Sequence, residues 1–320
     1  MRILITGGAG FIGSNLTKRC LSEGFTVDVV DDLSNGHIHF VPRQIIDKDG
    51  LILADFASDG ILENIRQKKY DVVVHLAAQP RVSYSVEHPY ETHQTNVTAT
   101  MRLIDVCRGN VKRFVFASSS SVYGGASKLP TNINENCSPK SPYALQKLII
   151  EDYLRLFHNL YGFDSVCLRF FNVFGPHQLG DSPYATAVSA WLNAIMKNES
   201  MRSDGDGSQT RDMCHVDNVV EACVKAATSQ KLFGGHAFNV ACGQKTSNME
   251  ILQYLLKKFP NAKFHSAPWR LGDVMHTLAD ISITSSELGY QPKVMFWEGL
   301  DTTIQWYQDN WEKIKDLSSK

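Results

Sequence analysis

Two side chains four residues apart, Tyr143 and Lys147, have the chemistry of a base and its activator. Residues at this spacing share one face of a helix, and Pro142 suits the first turn of a helix that begins here. A phenol with a pKa near ~10 is a weak base at neutral pH, but a neighbouring ammonium favours the phenolate. The pair is therefore predicted to take a proton from a substrate hydroxyl.

A run of four serines, 118–121, follows the apolar stretch 113–117. Ligands bind at the carboxyl ends of the strands in parallel α/β folds, so polar side chains at such a place indicate a site. One of these hydroxyls is expected to bond the same substrate oxygen as Tyr143 and to stabilise charge as a hydride leaves.

A glycine-rich turn joins the apolar residues 2–6 to a helix that is predicted to end before Gly24. Gly7 permits the tight turn, Gly10 lets the backbone approach a pyrophosphate, and Gly13 allows the helix to pack closely on the strand. The free N–H groups at the start of the helix favour a negatively charged ligand. The turn is therefore predicted to bind a dinucleotide.

A second apolar stretch, 26–30, ends in two carboxylates, Asp31 and Asp32. A carboxylate at this place accepts hydrogen bonds from the adenosine ribose and repels a 2'-phosphate. No arginine follows in the next few residues to bind such a phosphate. The sequence predicts NAD, not NADP.

The rest of the chain predicts the sheet that would carry these residues. Further apolar stretches alternate with helical patterns at residues 51–55, 71–78, 113–118 and 165–170. Strands that are apolar almost throughout lie in parallel sheets covered on both faces. We expect an α/β fold, a doubly wound parallel sheet of the Rossmann type with a smaller C-terminal α/β lobe. Residues 1–172 would bind NAD and 173–320 the substrate, with segments near 213–243 returning to the first domain.

Composition excludes several classes of partner. With 32 basic and 33 acidic residues the formal net charge is -1, so no overall field attracts nucleic acid or an anionic membrane. No run approaches the ~18 apolar residues of a membrane span. The seven cysteines are scattered without a C-x-x-C pair, which predicts free thiols in a reducing cytoplasm and no metal site.

The helix predicted over 142–160 is apolar on more than one face, so it needs a second covering surface. We expect a homodimer in which this helix packs beside one over about 89–107. One stripe of the first helix carries Leu145, Leu148, Ile149, Tyr153, Leu156, Phe157 and Leu160, with Ile150 and Leu154 off it.

These motifs together resemble the extended short-chain dehydrogenase/reductase family, and within it the UDP-sugar 4-epimerases. The resemblance covers nearly the whole chain and begins with the G-x-x-G-x-x-G spacing of the turn. It continues in His75-Leu76-Ala77-Ala78, Val122-Tyr123-Gly124, Ser141-Pro142-Tyr143 with Lys147, the stretch from Arg169 to Pro176, Gly205-Asp206-Gly207 and Thr210-Arg211-Asp212.

The resemblance implies a role for each matching residue. Ser119, Tyr143 and Lys147 would be catalytic, with Ser118 or Ser120 as alternatives to Ser119. NAD would be bound by Gly7, Gly10, Phe11, Ile12, Gly13, Asp31, Asp32, Asp55, Phe56, Leu76, Ala77, Ala78, Tyr143 and Lys147. The UDP-sugar would be bound by Ser119, Ser120, Tyr143, Asn172, Arg211, Arg270, Asp273 and Thr277.

The implied reaction is a redox-neutral 4-epimerisation that keeps NAD bound. Similar sugar 4,6-dehydratases carry Asp-Glu where Ser120 and Ser121 stand, and similar decarboxylases carry Glu at the second place. Thr277 stands where a larger residue would close the N-acetyl pocket, so UDP-N-acetylglucosamine and UDP-N-acetylgalactosamine are favoured, with UDP-glucose and UDP-galactose as further substrates. Epimerases of UDP-glucuronate or UDP-N-acetylglucosaminuronate, a net dehydrogenase and a non-catalytic NAD-binding scaffold remain alternatives.

Overall fold

A computed structural model describes residues 1–126, 128–181, 185–269 and 274–317. The strands in this part of the chain are β1 (Arg2–Thr6), β2 (Thr26–Asp31), β3 (Leu51–Leu53), β4 (Val72–His75), β5 (Arg113–Ser119), β6 (Ser165–Phe170), β7 (Asn172–Phe174), β8 (Ser200–Asp204), β9 (Thr210–Arg211), β10 (Met213–His215), β11 (His236–Val240), β12 (Thr246–Ser247) and β13 (Lys263–Ala267).

The helices of the same ranges are α1 (Phe11–Ser22), α2 (Arg43–Ile46), α3 (Asp59–Arg66), α4 (Val82–Glu87), α5 (Pro89–His93), α6 (Thr100–Cys107), α7 (Pro142–Tyr161), α8 (Ala187–Met196), α9 (Val216–Thr228), α10 (Asn248–Lys258), α11 (Ser282–Leu288) and α12 (Phe296–Ile314). Short 3-10 helices span Ile38–Phe40 and Ser120–Tyr123. A π-helical stretch, Gln94–Ala99, joins α5 to α6 in the region where one helix was predicted.

Seven parallel strands form the central sheet in the order β11-β6-β5-β4-β1-β2-β3. The strand order reverses between β1 and β4, and in open α/β sheets ligands bind in the crevice at such a point. The predicted doubly wound Rossmann-type sheet is therefore confirmed.

Both faces of this sheet are covered, as the continuous apolar strands predicted. In β1, Ile3 and Ile5 belong to one buried cluster and Leu4 to the other, because successive side chains of a strand point to opposite faces. Helices α1 and α9 cover the first face, and α3, α6 and α7 cover the second.

A smaller lobe follows the sixth strand. It contains three two-stranded sheets, β10-β7, β12-β9 and β13-β8, and its core is built by α8, α10 and α12 around Trp191, Leu252 and Tyr307. The chain also returns to the first layer, where α9 lies against α1 and β11 pairs with β6. The domain division at residue 172 stays a prediction.

Within the described ranges, no helix combines the length and the apolar character that a membrane crossing requires.

Candidate active site

A cavity of about 1110 Å³ lies at the carboxyl edge of the central sheet, between the sheet and the smaller lobe. Its walls include the glycine turn, Tyr143 and Lys147, and Asn172 and Thr277. Pockets for one drug-sized ligand measure about 300–1,000 Å³. The cavity therefore has room for two ligands that meet near Tyr143.

The backbone geometry of the turn after β1 accounts for its glycines. Gly7 has a φ of +71°, and a Cβ on it would lie 2.8 Å from the backbone nitrogen of Ala77. A Cβ on Gly13 would lie 2.1 Å from the carbonyl oxygen of Gly7. These close contacts are with backbone atoms, so the turn and the first turn of α1 require glycine at both positions.

Gly10 requires glycine for a different reason. A Cβ there would meet only the carbonyl oxygen of Gly7, at 3.2 Å, and would otherwise enter the cavity. Gly10 caps the start of α1 without a side-chain hydrogen bond, so the N–H groups of the first turn remain available. This cradle fits the pyrophosphate of a dinucleotide.

The carboxylate of Asp31 lines the cavity and also holds the turn. Its Oδ2 accepts the N–H of Ala9 at 2.9 Å and its Oδ1 accepts the N–H of Leu33 at 2.8 Å. Burial raises the pKa of Asp31, against these two hydrogen bonds. Each oxygen retains acceptor capacity for a ribose hydroxyl. Asp32 is bonded by the N–H and Oγ of Ser34, at 2.9 and 2.6 Å.

The remaining predicted cofactor residues also reach the cavity wall. Asp55 accepts the N–H of Ala57 at 2.6 Å, whereas the Phe56 ring is buried and packs on His75 with ring centres 4.8 Å apart. The wall is continued by Phe11, Ile12, Leu76, Ala77 and Ala78. The shape of the cradle, the acidic ribose acceptor and the small residues after β4 fit NAD.

Helix α7 positions the predicted base. Ser141 caps the helix by accepting the N–H of Ala144 at 3.2 Å, and the N–H of Tyr143 donates to the Oγ of Ser85 at 3.1 Å. One turn later, the Nζ of Lys147 donates to the carbonyl oxygen of Ala117 at 2.7 Å and lies 5.8 Å from the centre of the Tyr143 ring. The structure thus brings Tyr143 and Lys147 to the end of β5.

Burial shifts the pKa values of Tyr143 and Lys147 in the directions that favour their uncharged forms. It raises the pKa of Tyr143 to about 12, while a hydrogen bond with the Ser119 side chain acts in the opposite direction. It lowers the pKa of Lys147 to about 8, while the Glu151 carboxylate acts in the opposite direction. The sequence analysis considered only the effect of the Lys147 ammonium on the phenol, and burial in the fold adds an effect of the opposite sign.

The side chains of the serine run point in two different directions. Ser118 is buried and its Oγ donates to the Oε1 of Glu151 at 2.5 Å, so it faces the layer between sheet and helix. Ser119 bonds Tyr143, and its Oγ accepts the N–H and the Oγ of Ser121 at 3.2 and 2.9 Å. Ser120 is half-buried at the cavity wall. Among the three candidates, Ser119 is the one whose contacts best fit the role predicted for the catalytic hydroxyl.

At the far end of the cavity, three predicted substrate residues lie together. The Oγ1 of Thr277 donates to the Oδ1 of Asn172 at 3.3 Å and accepts the backbone N–H of Asp212 at 3.0 Å. Arg211 lines the cavity, with Nη1 bonded to the carbonyl oxygens of Thr210 and Met275 at 3.1 and 3.2 Å. Arg270 and Asp273 lie outside the described residues.

Two amides, one in the cavity wall and one that supports the wall at Gln79, were missed in the sequence. Gln178 is buried at the cavity wall, and its Oε1 accepts hydrogen bonds from Ser189 and Thr186 at 2.6 and 3.0 Å. Asn96, in the π-helical stretch, exchanges two hydrogen bonds with the backbone of Gln79, at 2.7 and 3.0 Å. Gln178 stands two residues after the motif that ends at Pro176, which is the signal that could have found it.

No group of three or more His, Cys, Asp and Glu side chains that could hold a metal ion occurs in the described part of the chain.

Known proteins are similar to this chain over nearly its whole length. Residues 3–241 match the family model described as the NAD dependent epimerase/dehydratase family. A UDP-glucose 4-epimerase of Mycolicibacterium smegmatis is 36% identical over 319 residues, which cover 97% of this chain and 99% of that protein.

Solved structures agree with this match. A UDP-N-acetylglucosamine 4-epimerase from Methanobrevibacter ruminantium, in complex with UDP-N-acetylmuramic acid, is 35% identical with a TM-score of 0.89, over 97% of this chain and 98% of that one. A UDP-glucose 4-epimerase of Thermus thermophilus in complex with NAD is 29% identical with a TM-score of 0.84, over 96% and 99% of the two chains.

Proposed function

The chain belongs to the NAD-dependent epimerase/dehydratase family, and on that premise we propose that it inverts carbon 4 of a UDP-sugar without net oxidation. One observation carries the proposal. Ser119, Tyr143 and Lys147 line the same single cavity as the NAD cradle and as Asn172 and Thr277. A sugar held beside Asn172 would therefore present a hydroxyl to Tyr143 and a carbon to the cofactor.

When bound, NAD supplies a hydride acceptor that later returns the hydride, and its positive nicotinamide ring opposes the effect of burial on Tyr143. Tyr143 would take the proton of the 4-hydroxyl as hydride leaves carbon 4. After the flat 4-keto sugar has turned over in the cavity, Tyr143 would give the proton back as hydride returns to the opposite face. Ser119 would hydrogen-bond the same oxygen when Tyr143 exchanges the proton. Lys147, fixed by Ala117, holds a positive charge beside the phenol.

The serine run supports epimerisation over elimination. A dehydratase needs a general acid and a base to remove water from the sugar. At those positions stand Ser120 and Ser121, and the hydroxyl of Ser121 is bonded to Ser119. A hydroxyl in this setting can orient the catalytic serine but is a poor proton acceptor.

The reaction can be tested with the purified chain and no added NAD. UDP-N-acetylglucosamine, UDP-glucose and their uronic acid counterparts are incubated separately, and the products are identified by NMR while absorbance reports NADH. We expect the 4-epimer to form without accumulation of NADH, and a deuterium label placed on carbon 4 to be retained. Stoichiometric NADH, loss of the label to water, or no 4-epimer from any sugar would overturn the proposal.

We further propose that N-acetylated UDP-sugars are preferred, with UDP-glucose and UDP-galactose as additional substrates. Thr277 is small, and its hydroxyl is bonded to Asn172 and Asp212 instead of projecting as a bulky side chain into the sugar end of the cavity. The Methanobrevibacter ruminantium relative, described as a UDP-N-acetylglucosamine 4-epimerase, supports this preference.

Replacing Thr277 with tyrosine is expected to lower kcat/KM for UDP-N-acetylglucosamine about 10–200-fold relative to UDP-glucose, because the ring would fill the space of the acetamido group. The matched control is Thr277→Ser, which keeps the hydroxyl and should keep the wild-type ratio. Steady-state kinetics with both substrates measure it. An unchanged ratio in Thr277→Tyr would show that this residue does not border the acetamido group.

We also propose a homodimer through α7 and the helical stretch from α5 to α6. Ile150 and Leu154 of α7 are fully buried against the sheet. On another face of the helix, Leu145 is 48% exposed, Leu156 46% and Leu160 61%. A helix with two apolar faces, of which one packs within the chain, is stabilised when a second copy covers the other.

Replacing Leu156 with aspartate is expected to convert the dimer to a monomer, since the carboxylate would lose its hydration in the interface. Light scattering after size-exclusion chromatography measures the mass. Phe264→Asp is the matched control, because Phe264 is 41% exposed in β13 of the smaller lobe and should leave the mass unchanged. A wild-type monomer, or a dimer in Leu156→Asp, would contradict the proposed interface.

We propose a cytoplasmic location because the cysteine thiols are free. All seven cysteines are free, and six of them are buried. Unpaired thiols in this number suit a reducing compartment.

A further inference from the structure

A buried ion pair that the proposed reaction does not use lies beneath the active site. It joins Glu151 of α7 to Arg169 of β6, and both residues are almost fully buried. The Nη2 of Arg169 donates to Oε2 of Glu151 at 2.6 Å, and its Nε contacts the two carboxylate oxygens at 3.0 and 3.2 Å. Removing two charges from water is costly, so such a pair contributes more to geometry and local charge than to stability.

The Glu151 carboxylate contacts the strand that carries the catalytic serine. Its Oε1 accepts the hydroxyl of Ser118 at 2.5 Å, and the next residue of β5 is Ser119. A buried, charge-assisted hydrogen bond of this kind fixes the end of the strand in position. Any displacement of Glu151 therefore moves the backbone from which Ser119 projects.

The same carboxylate faces the catalytic lysine. Glu151 lies four residues after Lys147 in α7, so both side chains share the buried face of the helix. Lys147 is held to the carbonyl oxygen of Ala117, the residue before Ser118. One carboxylate thus acts on both elements that bring side chains to the reacting oxygen.

We infer that Glu151, clamped by Arg169, is a positioning residue that sets the place of Ser119 through Ser118 and supplies the negative charge that keeps Lys147 an ammonium. This role rests on the proposed function, in which Ser119 and Lys147 act on the sugar hydroxyl. It is distinct from that function because Glu151 touches neither ligand.

The surroundings of Lys147 identify Glu151 as the anion that acts on the pKa of Lys147. In the described chain, the other titratable or charged groups near the pair are Tyr143, His75, Cys167, Arg169, Tyr123 and Cys137, with Asp152 and Arg155 on the exposed side of α7. Burial lowers the pKa of His75 to about 3, raises that of Tyr123 to about 12, and raises those of Cys137 and Cys167, so these groups are neutral near pH 7. In the described chain, Glu151 is the carboxylate that opposes the effect of burial on Lys147.

The test is a titration of Lys147 by trace acetylation with acetic anhydride across a pH series, read by mass spectrometry. Glu151→Gln is expected to lower the pKa of Lys147 by about one unit or more, because an opposite charge is lost and the Arg169 charge is left behind. Arg169→Gln leaves the anion in place and is expected not to lower it. A general loosening of the fold would move both variants in the same direction.

The matched control is Asp164→Asn. It breaks the other buried ion pair of this sheet, between Asp164 and Arg113 at 2.6 Å, which lies at the amino ends of β5 and β6. We expect a lower melting temperature and an unchanged Lys147 titration. An unshifted Lys147 in Glu151→Gln, or equal lowering in all three variants, would overturn the inference.

A second variant, Glu151→Asp, serves if Glu151→Gln does not fold. It keeps the carboxylate but moves it away from Ser118. We expect a Lys147 titration close to wild type with a lower kcat; a lowered pKa of Lys147, or wild-type kcat, would contradict the role. In the pH profile of kcat, the inflection that belongs to Lys147 should move to lower pH only in Glu151→Gln. The labelling needs no turnover, so an inactive wild type with the expected shift would count against the proposed function alone.

Discussion

Replacing Tyr143 with phenylalanine is expected to lower kcat for 4-epimerisation by about 10²–10⁴-fold while NAD stays bound. The phenol is the group placed to exchange a proton with the 4-hydroxyl, and phenylalanine keeps the ring but removes the hydroxyl that bonds Ser119. The glycine turn and Asp31 do not touch this hydroxyl, so the cradle for the cofactor is unchanged. The change in kcat is measured by following turnover with NMR. Retention of NAD is measured by releasing and quantifying the cofactor after denaturation.

The matched control for this variant is Tyr153→Phe. Tyr153 lies on the same helix, α7, but its side chain is exposed and is not part of the cavity wall. It should retain wild-type turnover and NAD content. Activity retained in Tyr143→Phe would show that the base is misassigned, and loss of NAD from it would show that the hydroxyl acts in cofactor binding.

Replacing Gly13 with alanine is expected to destabilise the turn by about 1–3 kcal/mol or more and to deplete bound NAD. The added Cβ would lie 2.1 Å from the carbonyl oxygen of Gly7 and 2.7 Å from the Cα of Gly8. These are backbone atoms of the cradle itself, so the clash is relieved only by opening the turn on which the pyrophosphate would rest. We expect NAD content to fall at least about tenfold, equivalent to ~1.4 kcal/mol of binding.

Gly60→Ala is the control for this second substitution. Gly60 lies in α3, and a Cβ on it would meet no atom within 4 Å. Alanine has a helix propensity better than glycine by about 1 kcal/mol, so this variant should melt at or above the wild-type temperature with full NAD content. Wild-type NAD content in Gly13→Ala would contradict the role assigned to the turn.

Much of the fold was predictable because the central strands are local and apolar. Stretches such as 113–118 and 165–170 predicted strands that the structure places in the sheet as Arg113–Ser119 and Ser165–Phe170. The two-residue strands β9 and β12 were not predictable. They are too short to leave a periodic pattern, and they pair residues far apart in the chain, such as Arg211 with Thr246.

The site divides in the same way. Tyr143 and Lys147 were recognisable because four residues of one helix set their relation. The different directions of Ser118 and Ser119 were not, because they depend on Glu151, which follows Ser118 by 33 residues. The effect of burial on the pKa of Tyr143 was not predictable for a related reason: spacing shows which charge is near a phenol but not how far the fold removes that phenol from water.

The two hydrogen bonds that Asp31 accepts from Ala9 and Leu33 constrain any attempt to change the cofactor preference of this enzyme. The acid that would reject a 2'-phosphate is also the support of the loop that would cradle the pyrophosphate. A Cβ on Gly36 would come within 2.8 Å of Asp31, so the following loop is fitted around the same side chain. Evolution or engineering toward NADP therefore has to rebuild the loop together with the acid, since a single exchange alters selectivity and scaffold at once.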